Sequence, residues 1–346
     1  MFKRIFSRSC IIRECHVWLS KNILSFIGWL THQNNWCLLL LLFGFSDQIY
    51  GNSFIYKKNN NILSNICSED LRLLDFYRTQ NTRIATLIDR YSNKFILKQK
   101  IFFSHITFAL EKLGFEIARS VNLCANQVRI IPKDCFFIGK ERINVPATLH
   151  TFVPGIQLTN LPKHLHRYAV CLRLITNENP CKPEQTKIWG FPRKLISLMT
   201  LHKDFPKIVA LDTFMANYDR TEGNLFYDEK IDRFFLIDFE CGFSVNLAEG
   251  VYQSFLEMLQ DENVIFLPKE IESLIAYKNM LKHLIKKYDP KLLNAKIDES
   301  IEQAKMNVLK ERFINKRAVY NQMIVANYNS CIKVVYIVDK LLEKHS

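Results

Sequence analysis

The chain has 346 residues, of which 48% are hydrophobic and 23% charged, and its formal net charge is +13. This length and composition exclude an intrinsically disordered chain and allow one large domain or two lobes that share a cleft. The ten cysteines contain no C-x-x-C pair and are irregularly spaced, so the sequence indicates neither a disulfide framework nor a zinc ribbon. The positive charge favours an acidic partner such as a nucleotide, a phospholipid head group or nucleic acid, although a general role in solubility explains it equally well.

The N-terminal stretch has the layout of a secretory signal or a membrane anchor. Residues 1–35 are basic with apolar patches, and the apolar run "WCLLLLLFGF" follows at 36–45. That run alone is shorter than the roughly 20 apolar residues that span a bilayer. We therefore assign 1–51 to a signal or anchor segment with its linker, with a buried helix or a wrongly assigned start codon as the alternatives. A genuine segment implies export or membrane association, and otherwise the expected location is cytoplasmic.

The region that follows predicts a small lobe of strands with one helix. "EDLRLLDFYRTQ" at 69–80 predicts a short helix because its apolar residues recur at helical spacing. "RIATLID" and "KFILKQK" flank a polar turn and predict a β-hairpin with Lys98 on its second strand. Residues 104–123 have a helical period with a break or kink expected at Gly114. "QVRIIP" and "CFFIGK" predict two further strands.

Helical periods dominate after the connector "TFVPGIQLTNL" at 151–161. They include "RKLISLMTLH", "KIVALDTFMANY", "SFLEMLQ" and at least three amphipathic helices between 268 and 344. A strand-bearing part followed by a mainly helical part is typical of a two-lobed α+β enzyme. We expect the small lobe over 52–152 and the helical lobe over 153–346.

The stretch "ANYDRTEGNLF" at 216–226 lies between an apolar helix and an apolar strand. It places Asp219 and Asn224 on a loop, and Asp238 lies at the exit of the later apolar strand "RFFLIDF". A carboxylate at the end of a buried strand is costly unless the charge is paired or bound to a cation. Asn224 offers a neutral oxygen to the same or a second metal, and Asp219 can accept a proton from an attacking hydroxyl.

An aspartate, an asparagine five residues later and a metal-binding aspartate on the next strand form the kinase arrangement. The stretch resembles the HipA-like and phosphatidylinositol 3-/4-kinase-like branch of the protein-kinase-like superfamily, whose catalytic loop reads D-R-H-x-x-N. This chain reads "DRTEGN", and its "IDFECGF" places Phe243 five positions after Asp238, as that branch often does. The resemblance is strongest over 208–243 and extends over about 84–340.

The resemblance implies a two-lobed protein-kinase-like α+β fold and a kinase that uses ATP and Mg²⁺. The expected acceptor of the γ-phosphate is a protein or phosphoinositide hydroxyl. The implied site has catalytic residues, metal ligands, a phosphate-binding lysine with its helix glutamate, and backbone contacts to adenine. The implied catalytic residues are Asp219 and Arg220, and the implied metal ligands are Asn224 and Asp238. The phosphate-binding lysine is Lys98, with Glu116 as its partner and Glu111 as the runner-up. The backbone contacts to adenine are expected from Phe152 and Val153.

The chain departs from the family pattern at three places. No glycine occurs between Asn52 and Leu113, so polar residues such as Asn81 and Thr82 are expected to replace a Gly-rich phosphate loop. Thr221 stands in the place of the usual histidine, and Glu240 stands at the third position of D-F-G. The added negative charge of Glu240 makes a catalytically impaired nucleotide-binding or scaffold protein the alternative function. A basic nucleic-acid or membrane-surface protein of unrelated fold is the third reading, and nucleic acid is the less expected partner.

A row of lysines lies in the C-terminal part of the chain. "YKNMLKHLIKKYDPK" places Lys278, Lys282 and Lys286 on one helical face with Lys287 beside them. Such a row is either a solvated face or a contact with an anionic membrane surface. A membrane contact would favour a phosphoinositide acceptor.

Overall fold

A computed structural model of the chain describes residues 63, 66–78, 82–100, 106–132, 136–138, 141–142, 146–161, 190–217, 219–243, 251–304 and 311–345. The proposed signal or anchor segment at 1–51 and the proposed phosphate-loop residue Asn81 lie outside these ranges. Among the helices within them, none has the length and apolar content needed to cross a membrane.

The strands form a five-stranded antiparallel sheet, a four-stranded sheet and a short hairpin. In the first sheet the strand order is β1-β2-β3-β8-β5, and in the second it is β4-β11-β10-β9. The bounds are β1 (Leu71–Arg78), β2 (Thr82–Asp89), β3 (Lys94–Lys100), β4 (Cys124–Ala125), β5 (Val128–Ile131), β6 (Phe137–Ile138), β7 (Glu141–Arg142), β8 (Ala147–Thr151), β9 (Ile156–Gln157), β10 (Leu225–Asp228) and β11 (Arg233–Leu236).

Strand β1 replaces the helix predicted over 69–80, which is wrong. A short 3₁₀ turn at Ser68–Asp70 comes immediately before the strand, and β1 pairs along its length with β2. The register shifts between Leu73 and Asp75. A β-bulge of this kind places one extra residue in the strand, so the apolar residues lose the strict alternation of a strand and imitate a helical period.

The predicted hairpin is confirmed by β2 and β3. Their register places Lys98 opposite Ile84 on β2 and opposite Thr148 on β8. The alternating residues Phe95 and Leu97 are buried in a small core on the other face of the sheet. Because side chains alternate between the two faces of a strand, the buried core fixes the face on which Lys98 lies.

The described helices follow the predicted order, and most belong to the second lobe. They are α1 (Thr107–Ser120), α2 (Gly190–Met199), α3 (Phe205–Met215), α4 (Val251–Gln260), α5 (Pro268–Lys287), α6 (Pro290–Gln303) and α7 (Glu311–His345). The buried apolar residues of α1 and of the C-terminal helices belong to one large core. The predicted α+β division into a strand-bearing and a helical part is confirmed, while the boundary at 152 stays a prediction.

Helix α1 continues without interruption past Gly114, so the predicted break is wrong. A Cβ atom at Gly114 would lie 2.3 Å from Cβ of Phe239, a distance at which one of the two residues must move. The glycine therefore permits close packing of α1 against the residue that follows Asp238.

We expect Gly114→Ala to lower the free energy of unfolding by about 1–3 kcal/mol, the usual cost of overpacking. Urea denaturation measures the loss. Gly223→Ala is the matched control, since its added Cβ would meet its nearest neighbour at 3.4 Å, an ordinary contact. Equal stability of the two variants would contradict the close packing of Phe239 on α1.

Candidate active site

The centre of the site is the ammonium group of Lys98. Its Nζ atom lies 2.9 Å from Oε1 of Glu111 on α1 and 3.3 Å from Oδ1 of Asp238, which follows β11. Residues of strand β3, of helix α1 and of the exit of β11 thus meet at the Lys98 ammonium group. Two of the residues predicted for the site, Lys98 and Asp238, are brought into direct contact.

The charges at this centre support one another. Burial alone would lower the pKa of Lys98, but the negative charges of Glu111 and Asp238 outweigh burial and raise this pKa. Burial likewise would raise the pKa of Glu111, but the charge of Lys98 and its hydrogen bond lower it. Both groups are therefore ionised at neutral pH.

Glu116, the predicted partner of Lys98, lies elsewhere, and the runner-up Glu111 takes its place. The Oε2 atom of Glu116 accepts a hydrogen bond of 2.7 Å from Nζ of Lys296 on α6. At 3.6 residues per turn, positions 111 and 116 are about 140° apart around α1, so only one of them can face β3. The sequence did carry the signal, because Glu111 interrupts the apolar face formed by Phe108 and Phe115, whereas Glu116 lies on the polar face.

Phe239 links helix α1 to the loop between α3 and β10. Its backbone N–H donates a 3.0 Å hydrogen bond to Oε2 of Glu111, and its fully buried ring approaches Gly114. The guanidinium carbon of Arg220 lies 4.9 Å from the ring centroid. Glu111 therefore binds Lys98 with one oxygen and the backbone that follows β11 with the other.

The loop between α3 and β10 joins Asp219 to Asn224. The Nδ2 atom of Asn224 donates a 2.8 Å hydrogen bond to the carbonyl oxygen of Asp219, and the Asn224 carbonyl accepts a 3.1 Å bond from the N–H of Ile237. These bonds fix the loop to the residue before Asp238. The hydrogen bond from Nδ2 fixes the orientation of the Asn224 amide, whose carbonyl oxygen Oδ1 is the atom that can bind a cation.

Asp219 is half-buried at the start of this loop. Its backbone N–H donates to Oδ1 of Asn217 at 3.3 Å, and the thiol of Cys241 donates to its carboxylate oxygen Oδ2 at 3.9 Å. Cys241, which sequence reasoning missed, thus places the segment after Asp238 beside the proposed base.

Arg220, which the sequence predicts to be a catalytic residue, is buried, and its guanidinium group is engaged inside the fold. Its Nε and Nη2 atoms bind the carboxylate of Asp212 on α3, with Nε 3.1 Å from Oδ2 and Nη2 3.1 Å from Oδ1. Its Nη1 atom donates to the carbonyl oxygens of Ile237 at 2.6 Å and of Asn224 at 3.3 Å. Arg220 therefore holds the loop, α3 and the end of β11 together, as a positioning residue.

We expect Arg220→Met to lower the free energy of unfolding by about 3–5 kcal/mol, because it leaves a buried carboxylate without its cation. Burial already raises the pKa of Asp212 against the opposing effect of Arg220. The double variant Arg220→Met/Asp212→Asn should therefore lose less than the sum of the two single losses in denaturant unfolding. Strictly additive losses would argue against this ion pair.

The proposed adenine contacts are only partly compatible with the structure. The N–H of Phe152 donates to the carbonyl oxygen of Lys94 at 3.2 Å, so this donor is used within the sheet. The Phe152 carbonyl and the peptide groups of the buried Val153 are then the candidates for adenine. Thr82, proposed to cover the phosphates, is buried at the start of β2.

Oxygen atoms suited to a divalent cation surround Asp238. Ligand atoms of Glu111, Asp238 and Glu240 lie within 4.8 Å of one another, and carboxylate and amide oxygens are the ligands that Mg²⁺ prefers. Asp238 has a φ of 60° and Phe243 a φ of 54°, which is costly for residues with side chains. The N–H of Phe243 donates to the Met215 carbonyl at 2.5 Å, and this bond helps to hold the strained segment. The donor set fits Mg²⁺.

No family model and no curated protein matches the chain, but solved structures do. The proinflammatory kinase CtkA of Helicobacter pylori is 10% identical, with a TM-score of 0.42, over 80% of this chain and 97% of that one. The Golgi casein kinase is 12% identical, with a TM-score of 0.36, over 80% and 74%. The Rio2 kinase of Chaetomium thermophilum, solved with ADP and Mg²⁺, is 12% identical, with a TM-score of 0.33, over 77% and 73%.

The similar structures just named are all kinases. In this chain, a five-stranded sheet, a helix that pairs Glu111 with Lys98, and a helical second lobe surround one site. The described part of the chain thus has an α+β fold with a strand-bearing part and a mainly helical part, as the sequence predicts.

Proposed function

We propose that the chain is an ATP- and Mg²⁺-dependent phosphotransferase that transfers the γ-phosphate to an alcohol group. The observation that carries this proposal is the position of Lys98 Nζ between Glu111 at 2.9 Å and Asp238 at 3.3 Å. A protonated lysine on a small-lobe strand, oriented by a helix glutamate beside a metal-binding aspartate, is the arrangement that kinases use to hold nucleotide phosphates.

Each residue of the centre then has a defined task. Lys98, kept protonated by its two carboxylate neighbours, binds the α- and β-phosphates, and Glu111 orients it. Asp238 and Asn224 would hold Mg²⁺, which when bound neutralises charge on the phosphates. The backbone at Phe152 and Val153 would receive the adenine edge.

Asp219 would act on the acceptor. It accepts the proton of the attacking hydroxyl or orients that hydroxyl, while the oxygen forms a bond to the γ-phosphorus and the bond from this phosphorus to the β-γ bridging oxygen breaks. ADP leaves with that oxygen. Arg220 supports the step by holding the loop that carries Asp219.

The motif order "DRTEGN" followed by Asp238 favours the HipA-like and phosphatidylinositol-kinase-like branch. Within this branch we favour a protein hydroxyl over a phosphoinositide as the acceptor, because half of the lysine row forms ion pairs inside the chain. Lys278 and Lys282 bind Asp339 of α7 at 2.9 and 2.8 Å. Two of the four lysines are therefore paired within the chain, which weakens the case for the row as a contact with an anionic membrane surface.

We expect the full chain to show little salt-sensitive binding to anionic liposomes beyond that to neutral ones, because half of the lysine row forms ion pairs inside the chain. Sedimentation with both liposome types measures this, and Lys286→Gln/Lys287→Gln is the comparison variant. Strong anionic-specific binding that this variant loses, together with phosphate transfer to a phosphoinositide, would overturn the protein acceptor in favour of the lipid.

Glu240 supports one alternative, a kinase-fold protein that binds nucleotide without turnover. It adds a third carboxylate within 4.8 Å of the Glu111 and Asp238 oxygens, where further negative charge opposes the approach of phosphates. Mg²⁺-dependent ATP binding without phosphate transfer by the wild type, and a gain of transfer in Glu240→Gly, would establish this alternative.

Titration of the full chain with ATP, with and without Mg²⁺, tests the proposed site. Asp238→Ala should abolish the Mg²⁺-dependent part of the affinity, because it removes a metal ligand. Asp228→Ala is the control, since Oδ1 of Asp228 only accepts the N–H of Lys230 in a turn. An unchanged affinity in Asp238→Ala would refute the metal assignment.

A further inference from the structure

The polar face of helix α1, turned by about 100–140° from Glu111, is attached to α6 by a row of charged and amide side chains. Lys112 donates a 3.0 Å hydrogen bond to Gln303 and lies 3.9 Å from a carboxylate oxygen of Glu299. One turn further along α1, Glu116 accepts 2.7 Å from Lys296. These contacts join a helix of the small lobe to the C-terminal part of the chain.

Helix α6 is itself fixed on another side by the C-terminal helix. Arg317 of α7 donates to Asp298 Oδ1 at 2.8 Å, to Asn294 Oδ1 at 2.7 Å and to the Asn294 carbonyl at 3.0 Å. Asn294 in turn donates to the Pro290 carbonyl at 2.8 Å. α6 is therefore an anchored element against which α1 can be held.

The two faces of α1 make different contacts at nearly the same level of the helix. Glu111 faces Lys98 and the Phe239 N–H, while its neighbour Lys112 faces α6. Because both sets of contacts are made by one helix, a rotation or a lateral displacement of α1 that separates Glu111 from Lys98 would also displace Lys112 and Glu116 from α6. Stabilising the α6 contacts therefore stabilises the Lys98–Glu111 pair.

We infer that Glu116 and Lys296, with Lys112, are positioning residues that act through helix α1 to hold Glu111 against Lys98 and Phe239. The inference rests on the proposed function only for its effect on turnover. It assigns to Glu116 a role different from the lysine contact expected from the sequence. It also makes α6 the element through which a change in the C-terminal lobe would reach the phosphate-binding lysine.

Charge reversal provides the test, because a matched pair can be restored. Glu116→Lys and Lys296→Glu should each lower kcat about two- to fivefold, the range that corresponds to a partly exposed ion pair, and the double reversal should recover most of the loss. In a Glu111→Gln background Glu116→Lys should have no further effect on kcat, since residues that act as a unit are non-additive. Asp339→Asn is the control, because it removes the partly exposed ion pairs of Asp339 with Lys278 and Lys282 between α5 and α7 and leaves the contacts between α1 and α6 in place.

Hydrogen exchange at the Phe239 amide gives a readout that does not require turnover. This N–H donates to Glu111, so it should exchange faster in Glu116→Lys and Lys296→Glu and return towards the wild-type rate in the double reversal. Unchanged exchange at Phe239 in both single variants would overturn the inference, whether or not the protein turns over ATP. Absence of turnover in the wild type would overturn only the proposed function.

Discussion

Asp219→Asn should lower the turnover of the full chain by roughly 10²–10⁴-fold while leaving ATP affinity nearly unchanged. That range is the usual contribution of a positioned base, and asparagine keeps the size of the side chain without its ability to accept a proton. The backbone carbonyl of Asp219, which binds the Asn224 side chain, is unaffected by the substitution. Steady-state kinetics and ATP titration measure the two quantities separately.

The Asp219 carboxylate also accepts from the Cys241 thiol, and a control is needed for this contact. Cys241→Ala should retain most of the turnover, because it removes the donor and leaves the proposed base in place. A parallel loss of affinity and turnover in Asp219→Asn would instead mean that the carboxylate has a structural role.

Lys98→Met and Glu111→Gln should each reduce turnover, with the larger loss of about 10²–10³-fold for Lys98→Met, the size seen when one electrostatic donor is removed. The double variant should be little worse than Lys98→Met, because the two residues act as a unit. Glu116→Gln, on the other face of the same helix, is the matched control and should lose no more than about fivefold. Additive losses of Lys98 and Glu111 would contradict the pairing.

The same pair has a defined dependence on pH. The pKa of Glu111 is lowered, so its stabilisation is present above the ordinary pKa of glutamate and is lost as the pH falls through the folded-state value. The pKa of Lys98 is raised, so its stabilisation is present below the ordinary pKa of lysine and is lost as the pH rises through the folded-state value. Between about pH 5 and about pH 10 the contribution of the pair to the free energy of unfolding should therefore not change with pH. In this window the stability difference between the wild type and Lys98→Met/Glu111→Gln should stay constant in denaturant titrations.

The hydrophobic pattern of the sequence was enough to predict the strands with regular alternation or a long apolar run, and with them the site residues that these strands carry. The β2–β3 hairpin placed Lys98, and the buried strand β11 placed Asp238, because alternation and a long apolar run specify those strands directly. The spacing of Asp219 and Asn224 likewise identified a loop whose two residues prove to be hydrogen bonded. Their chemical roles remain proposals.

Other features depend on contacts between distant parts of the chain. β1 is a strand because it pairs with β2 across a bulge. Gly114 lies inside a continuous helix, where the missing side chain makes room for Phe239. The partner of Lys98 depended on which face of α1 meets the sheet, a choice that tertiary packing makes. Arg220 was assigned to catalysis from a motif, whereas the burial of Asp212 beneath it shows its framework role.

Transfer of labelled γ-phosphate from ATP by the full chain, with Mg²⁺ present and a panel of protein and phosphoinositide hydroxyl acceptors, tests the central claim most directly. We expect Mg²⁺-dependent labelling of an acceptor, or of the chain itself, by the wild type, and no labelling above background by Asp238→Ala. Asp228→Ala should label like the wild type. Equal labelling by wild type and Asp238→Ala, or none by the wild type under conditions in which it binds Mg²⁺ and ATP, would contradict the assignment of the chain as a phosphotransferase.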